Sequence, residues 1–109
     1  MNAKEEFLRK LSDINKTVGD IKCATIKDEN FGSTKEYAKL NVNFNTEDYS
    51  NFLRSLDFNY DSGYGVQELG GLVWFTDNTW LSRGEYNGSE WWVHNKVPEV
   101  PGYLNFKTN

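Results

Sequence analysis

Apolar residues near the start of the chain recur at the spacing of a helix. They follow one another every three or four residues, which places them along one side of a helix and predicts that this side is buried. Acidic residues precede basic ones along the segment, the order that the helix dipole favours. We therefore predict a packing helix over residues 3 to 17 that stops near Gly19. Its apolar stripe comprises Phe7, Leu11, Ile14 and Val18.

The next two segments alternate apolar and polar residues, as half-buried strands do. Residues 36 to 44 alternate cleanly, whereas residues 20 to 27 alternate less well, so the buried face of the earlier strand stays open. The buried side of the later strand is predicted to carry Ala38, Leu40, Val42 and Phe44.

A second helix is predicted at about residues 46 to 56. Asn45 or Thr46 can cap it, and two acidic residues follow in the first turn. Residues 57 to 65, rich in glycine and tyrosine, are predicted to form a loop. Such a loop can be a plain surface connection, which we favour, or a recognition element.

Three consecutive strands with four tryptophans are predicted between Leu69 and Val97. Asn87-Gly88 is a strong hairpin signal between the last two strands, and Asp77-Asn78 is a weaker one between the first two. We assume an even number of residues in both loops. The facing side chains then follow from simple alternation, and a one-residue change in either loop would exchange the two faces of a whole strand.

Under that assumption, one face of these strands is predicted to lie under the helices, with Trp80 and Trp91 in the core. The other face mixes large apolar side chains with charges of both signs, a composition found at the centre of many protein interfaces. We predict that it binds a protein partner, or alternatively that other parts of the chain cover it as a second core. The predicted contact residues are Trp74, Leu81, Arg83, Glu85, Glu90, Trp92 and His94.

The predicted order of elements is α-β-β-α-β-β-β. This order indicates an α+β fold with an antiparallel sheet, a C-terminal three-stranded meander and helices packed on one face. A chain of 109 residues is large enough for one core, so we predict a single domain over residues 1 to 109. Residues 103 to 109 are expected to form a loose tail.

Charge and cysteine content narrow the possible partners and compartments. The net charge of −4 argues against binding to nucleic acid, which depends on Lys and Arg, but leaves open an acidic inhibitor that mimics nucleic acid. The lone Cys23 cannot form an intramolecular disulfide, which suits a reducing compartment. We find no signal peptide and no apolar run of membrane-spanning length, so we expect a cytoplasmic protein without membrane contact.

Motifs for catalysis, cofactors and metals are absent from the sequence. There is no phosphate-binding loop, dinucleotide fingerprint, HExxH or CxxC. His94 is the sole histidine, too few for a typical zinc or iron site. Glu85 and Glu90 are predicted to lie opposite or diagonal to one another, at a separation that retaining glycosidases use. A small hydrolase is therefore a remaining alternative, although we expect no catalytic residues and no cofactor.

The run W-L-S-R-G-E-Y-N-G-S-E-W-W, from Trp80 to Trp92, resembles the C-terminal part of small, mostly uncharacterised proteins of bacteriophages and prophages. Those proteins also carry a following Pro-Glu-x-Pro, here Pro98 to Pro101. The similarity covers about a third of the chain and brings no family catalytic residues. It implies a phage-borne accessory protein that binds a host or phage protein in the host cytoplasm.

Overall fold

The computed structural model describes residues 1–29, 35–61 and 67–104. Its elements occur in the order α-β-β-α-β-β-β, as predicted, with a short 3₁₀ turn before the first strand. The helices are α1 (Ala3–Asp13) and α2 (Thr46–Ser55). The strands are β1 (Ile21–Asp28), β2 (Glu36–Leu40), β3 (Leu69–Phe75), β4 (Trp80–Tyr86) and β5 (Ser89–Asn95).

The five strands form one sheet in the order β2-β1-β3-β4-β5, and all neighbours are antiparallel. Both helices contribute to the core on one side of this sheet. The ring of Phe7 from α1 contacts Phe52 from α2 edge-on, with ring centroids 5.5 Å apart. It also contacts Trp92 from β5 at 6.3 Å. The fold class predicted from the sequence, α+β with a C-terminal meander, is confirmed.

Helix α1 is shorter than predicted. It begins after Asn2, whose side chain accepts the N–H of Glu5, and it ends at Asp13. Asn15 then takes a left-handed conformation, with φ of 57°, and Lys16 donates its N–H back to the carbonyl of Leu11. These bonds cap the helix in the way glycine often does. The predicted stop at Gly19 is therefore wrong.

Strand β2 is also shorter than its alternating pattern predicts. It ends at Leu40, and Asn43 has a φ of 66°, which no strand accommodates. Val42 consequently lies exposed instead of on the buried face. The chain then enters α2 through Asn45, whose side chain accepts the N–H of Asp48 while Asp48 accepts that of Asn45. This reciprocal cap confirms one of the two predicted caps.

The chain after β5 is exposed from Lys96 to Leu104. The predicted glycine and tyrosine loop lies partly outside the described residues, because Ser62 to Val66 are not among them. Residues 105 to 109 of the predicted loose tail also lie outside. No helix within the described ranges is long and apolar enough to cross a membrane.

Candidate functional site

The β4–β5 hairpin has the predicted turn. Asn87 and Gly88 have φ values of 52° and 85°, the left-handed pair that a two-residue hairpin loop requires. Tyr86 pairs with Ser89 directly across the turn. Along the same ladder Glu85 lies opposite Glu90, as predicted.

The β3–β4 hairpin has a different turn from the one assumed. Trp74 pairs with Trp80 and Val73 with Leu81, so an odd number of residues separates the strands. Asn78 has a φ of 68°, and its N–H is donated to the carbonyl of Phe75. A turn that ends in one left-handed residue gives a three-residue hairpin loop. The even-loop assumption is wrong here, and β4 and β5 are turned over relative to β3.

This register exchanges the faces of three tryptophans. Trp80 and Trp91 leave the predicted core, Trp92 enters it, and Trp74 stays on the face predicted to be exposed. The face under the helices combines Val73 and Phe75 of β3 with Leu81, Arg83, Glu90 and Trp92. The opposite face, which we call the open face, carries the remaining large residues of the meander. They are Leu72, Trp74, Trp80, Tyr86, Trp91 and Val93.

Four of the predicted contact residues are therefore buried instead of exposed. Trp92 is 4% exposed and Leu81 is completely buried. The side chains of Arg83 and Glu90 are 2% and 0% exposed. The predicted surface made from these residues does not exist, because α1 and the segment around Tyr60 cover it. Leu81 and Trp92 belong to the one core cluster under the helices, so the alternative of a separate second core is also wrong.

Arg83 is the centre of a buried polar cluster that sequence reasoning did not anticipate. Its guanidinium donates to Glu90 at 2.8 Å, to Glu6 of α1 at 3.2 Å and to the hydroxyl of Tyr60 at 2.9 Å. Tyr60 in turn donates its hydroxyl proton to Glu6. The guanidinium carbon also lies 4.8 Å from the ring centre of Trp92, in cation–π geometry.

Glu90 also fixes the start of β3. Its carboxylate accepts the backbone N–H of Glu68 at 2.7 Å and that of Leu69 at 2.9 Å. Both carboxylate oxygens are thus occupied, and the side chain is shielded from solvent. The hydrolase hypothesis fails on this geometry, because Glu90 has no exposed oxygen with which to reach a substrate.

Two members of the cluster, Arg83 and Tyr60, have raised pKa values. Burial alone lowers the pKa of Arg83, but the charge of Glu6 and the hydrogen bond to Glu90 outweigh it, and the pKa is raised. Burial, together with the hydrogen bond to Glu6, raises the pKa of Tyr60 above 10.0. Two N–H groups, Nε of Arg83 and Nε1 of Trp92, have no acceptor among the described residues.

Glu85 and His94 lie at opposite ends of the meander. Glu85 is exposed and accepts the N–H of Gly88, which supports the turn. His94 is half-buried, and its Nε2 lies 2.9 Å from Oγ1 of Thr79. Burial and the charge of Lys16 lower the pKa of His94. Within the described residues no three His, Cys, Asp or Glu side chains are grouped closely enough to hold a metal.

The side chains that β3, β4 and β5 themselves contribute to the open face are uncharged, and most of the large ones are aromatic. Trp74 is 38% exposed and Trp91 is 43% exposed, with half-buried Trp80 directly beside Trp74. Gly84 makes room for Trp91, because a Cβ at Gly84 would lie only 2.7 Å from Nε1 of the indole. The Trp91 ring therefore lies across the backbone of β4. Of the seven predicted contact residues, Trp74 alone belongs to this face.

Comparison with protein-family models, with curated proteins and with solved structures found no match. The function must therefore be argued from the open face and the cluster beneath it.

Proposed function

We propose that the chain is a non-catalytic accessory protein, of the kind that bacteriophages carry, and that it binds another protein through the open face. The observation that carries the proposal is the exposure of Trp74 and Trp91 on the open face, to which β3, β4 and β5 contribute uncharged side chains. Large exposed apolar patches on soluble proteins usually mark a place where something binds. Tryptophan is also enriched among the residues that dominate binding energy.

The chemistry of the open face favours an apolar or aromatic patch on a partner protein. Charged side chains on this side of the sheet lie on and next to β1 and β2. Lys27 of β1 is paired with Glu29 at 3.8 Å, and Glu29 lies over Gly70 at the start of β3. A platform for single-stranded nucleic acid would combine stacking rings with a basic groove that follows the phosphates. The neutral surface of β3 to β5 offers stacking rings without that groove.

Several acidic side chains are engaged within the protein. Asp77 is paired with Lys16 and Asp57 with Lys4, while Glu6 and Glu90 are paired with Arg83. A protein that mimics nucleic acid needs free acids in rows on its surface. These pairings support recognition through the tryptophans over recognition through negative charge.

The test is capture of a partner by immobilised protein from a lysate of the bacterial host. We expect a specific band that persists in moderate salt, which screens charge–charge binding. Trp74→Ala and Trp91→Ala should each weaken capture at least about tenfold, the effect of losing one central interface residue. Leu8→Ala is the matched control, since Leu8 on α1 is also 38% exposed but lies away from the open face.

Both tryptophan variants must unfold at nearly the same denaturant concentration as the unmodified protein for this comparison to hold. Capture that survives both substitutions would contradict the proposal. Capture that disappears in moderate salt, and on neutralising exposed acids, would instead support mimicry of nucleic acid.

A further inference from the structure

Strand β5 forms one edge of the sheet, and the backbone groups on its outer side have no partner within residues 1–29, 35–61 and 67–104. In a two-residue hairpin the residues next to the turn exchange hydrogen bonds, and such pairs then alternate along the ladder. Ser89, Trp91 and Val93 therefore bond to β4. The N–H and C=O groups of Glu90, Trp92 and His94 point outward. No hydrogen bond among the described residues reaches these groups.

The two edges of the sheet differ in how they are protected. Strand β2 is five residues long, carries Lys39, and its ladder with β1 is interrupted next to Lys27. Short length, charge and irregular pairing are the features that prevent an edge from pairing with another chain. Strand β5 is seven residues long and pairs with β4 without a shift in register. Its one charged side chain, Glu90, is turned inward and bound.

Helix α1 does not close the β5 edge. A groove of about 280 Å³ separates the helix from the strand. It is lined by Glu6, Arg9, Lys10, Asp13, Trp91 and Trp92. An incoming strand can therefore approach β5 in the plane of the sheet.

We propose that β5 pairs with β5 of a second copy of the chain, antiparallel and centred on Trp92. In this register the outward groups of Glu90 meet those of the partner subunit's His94, and the two Trp92 backbones meet at the two-fold axis. The outward N–H and C=O groups of Glu90, Trp92 and His94 then all have hydrogen-bond partners. Pairing centred on Trp91 or Val93 would leave some of them without one. The interface is self-complementary, as two-fold symmetry requires.

Side chains on the open face complement this pairing. Trp91, 43% exposed, lies opposite the partner subunit's Val93, at the close spacing of a non-hydrogen-bonded pair. Aromatic and β-branched residues are favourable cross-strand neighbours. The two five-stranded sheets become one continuous sheet, and the two open faces become one surface. This inference concerns the edge of the sheet and does not depend on the function proposed for its face.

The experiment compares His94→Pro with His94→Ala by sedimentation velocity over a range of protein concentrations. The unmodified protein should sediment as a dimer at high concentration. Proline is tolerated on an edge strand where the N–H faces outward, so His94→Pro should fold yet raise the dimer dissociation constant at least about tenfold. His94→Ala removes the same imidazole but keeps the N–H, and it should still form the dimer.

Amide hydrogen exchange gives a second measurement that needs no variant. The amides of Glu90, Trp92 and His94 should become more protected as the protein concentration rises, while amides of β2 stay unchanged. A protein that remains monomeric at high concentration would overturn the proposal. Equal dimerisation of the Pro and Ala variants, or concentration-dependent protection at β2 instead, would also overturn it.

Discussion

Asparagine occupies most left-handed backbone positions in the described part of this chain. In the described residues, each non-glycine residue with positive φ is an asparagine, namely Asn15, Asn43, Asn78 and Asn87. Its short polar side chain tolerates this conformation better than other side chains do. Asn15 and Asn43 follow elements that end earlier than predicted, and Asn78 gives a turn of a different length from the one assumed. Only the turn at Asn87 could be predicted with a strong signal, because Asn87 is followed by Gly88.

The burial of Arg83 was also difficult to predict from the sequence. A run that alternates Leu, Arg and Glu normally indicates a solvent-facing strand side. Here Glu6 and Glu90 neutralise the guanidinium, and Trp92 covers it. The acidic partners are 77 and 7 residues away in sequence, so local patterns could not show that Arg83 is paired.

Removal of the guanidinium should be costly. Arg83→Met leaves two buried or nearly buried carboxylates without their cation, and breaking a buried pair in this way costs about 3–5 kcal/mol. The measurement is the free energy of unfolding in urea. Lys4→Met is the control, because the Lys4–Asp57 pair is solvent-exposed, and its loss should cost less than about 1 kcal/mol. Similar costs for the two variants would show that Arg83 is not held as described.

At the scale of elements, the number of residues in a hairpin loop, odd or even, decides which side of the next strand is buried. The β4–β5 loop could be predicted, because Asn-Gly strongly favours a two-residue turn. The β3–β4 loop could not, because Asp77-Asn78 fits both two- and three-residue loops. Hydrophobic pattern did not resolve the choice either, since either loop length leaves tryptophan on both faces: two on each for the even loop, and three on the open face with one on the buried face for the observed loop. Gly84 gave no signal, because it lies opposite Trp91 in the β4–β5 ladder whichever length the β3–β4 loop has.

The β3–β4 turn should depend on the conformation of Asn78. Asn78→Ala should lower the free energy of unfolding by about 1 kcal/mol, because alanine pays a larger penalty at a φ of 68°. Asn78→Gly should be neutral or stabilising, since glycine adopts positive φ freely. Asn41→Ala, at an exposed loop position without positive φ, should change stability by less than about 0.5 kcal/mol. An equal loss in the Ala and Gly variants would contradict the assigned turn.

At the scale of the whole molecule, the order and type of the elements followed from periodicity and capping, whereas the binding surface did not. Strand and helix periods are local properties. The assignment of a face to core or solvent depends on how separate elements pair. The wrong length assumed for the β3–β4 loop therefore left the predicted fold correct, but it placed Trp91 in the core and Trp92 on the surface, the reverse of their observed positions.

The stability of the whole molecule should have a broad maximum with different causes on its two sides. His94 has a pKa below 6.5, first because it is buried and then because of the charge of Lys16. The folded state thus favours the neutral ring. This contribution is complete above about pH 6.5 and is lost as the pH decreases through the folded-state pKa of His94. Tyr60 and Tyr49 have pKa values raised above 10.0, chiefly by burial, so they favour folding below about pH 10 and cease to do so above it.

We therefore expect the free energy of unfolding, measured in urea at a series of pH values, to be highest between about pH 6.5 and 10. His94→Asn should remove the decrease that begins just below pH 6.5, while the decrease near pH 4 remains, because Asp57 and Asp77 have pKa values below 3.8 in the folded state. Tyr60→Phe should weaken the alkaline decrease and leave the acid side unchanged. A stability that increases from pH 7 to pH 5 would mean that His94 favours its charged form in the folded protein, contrary to its half-buried position next to Phe75 and Lys16.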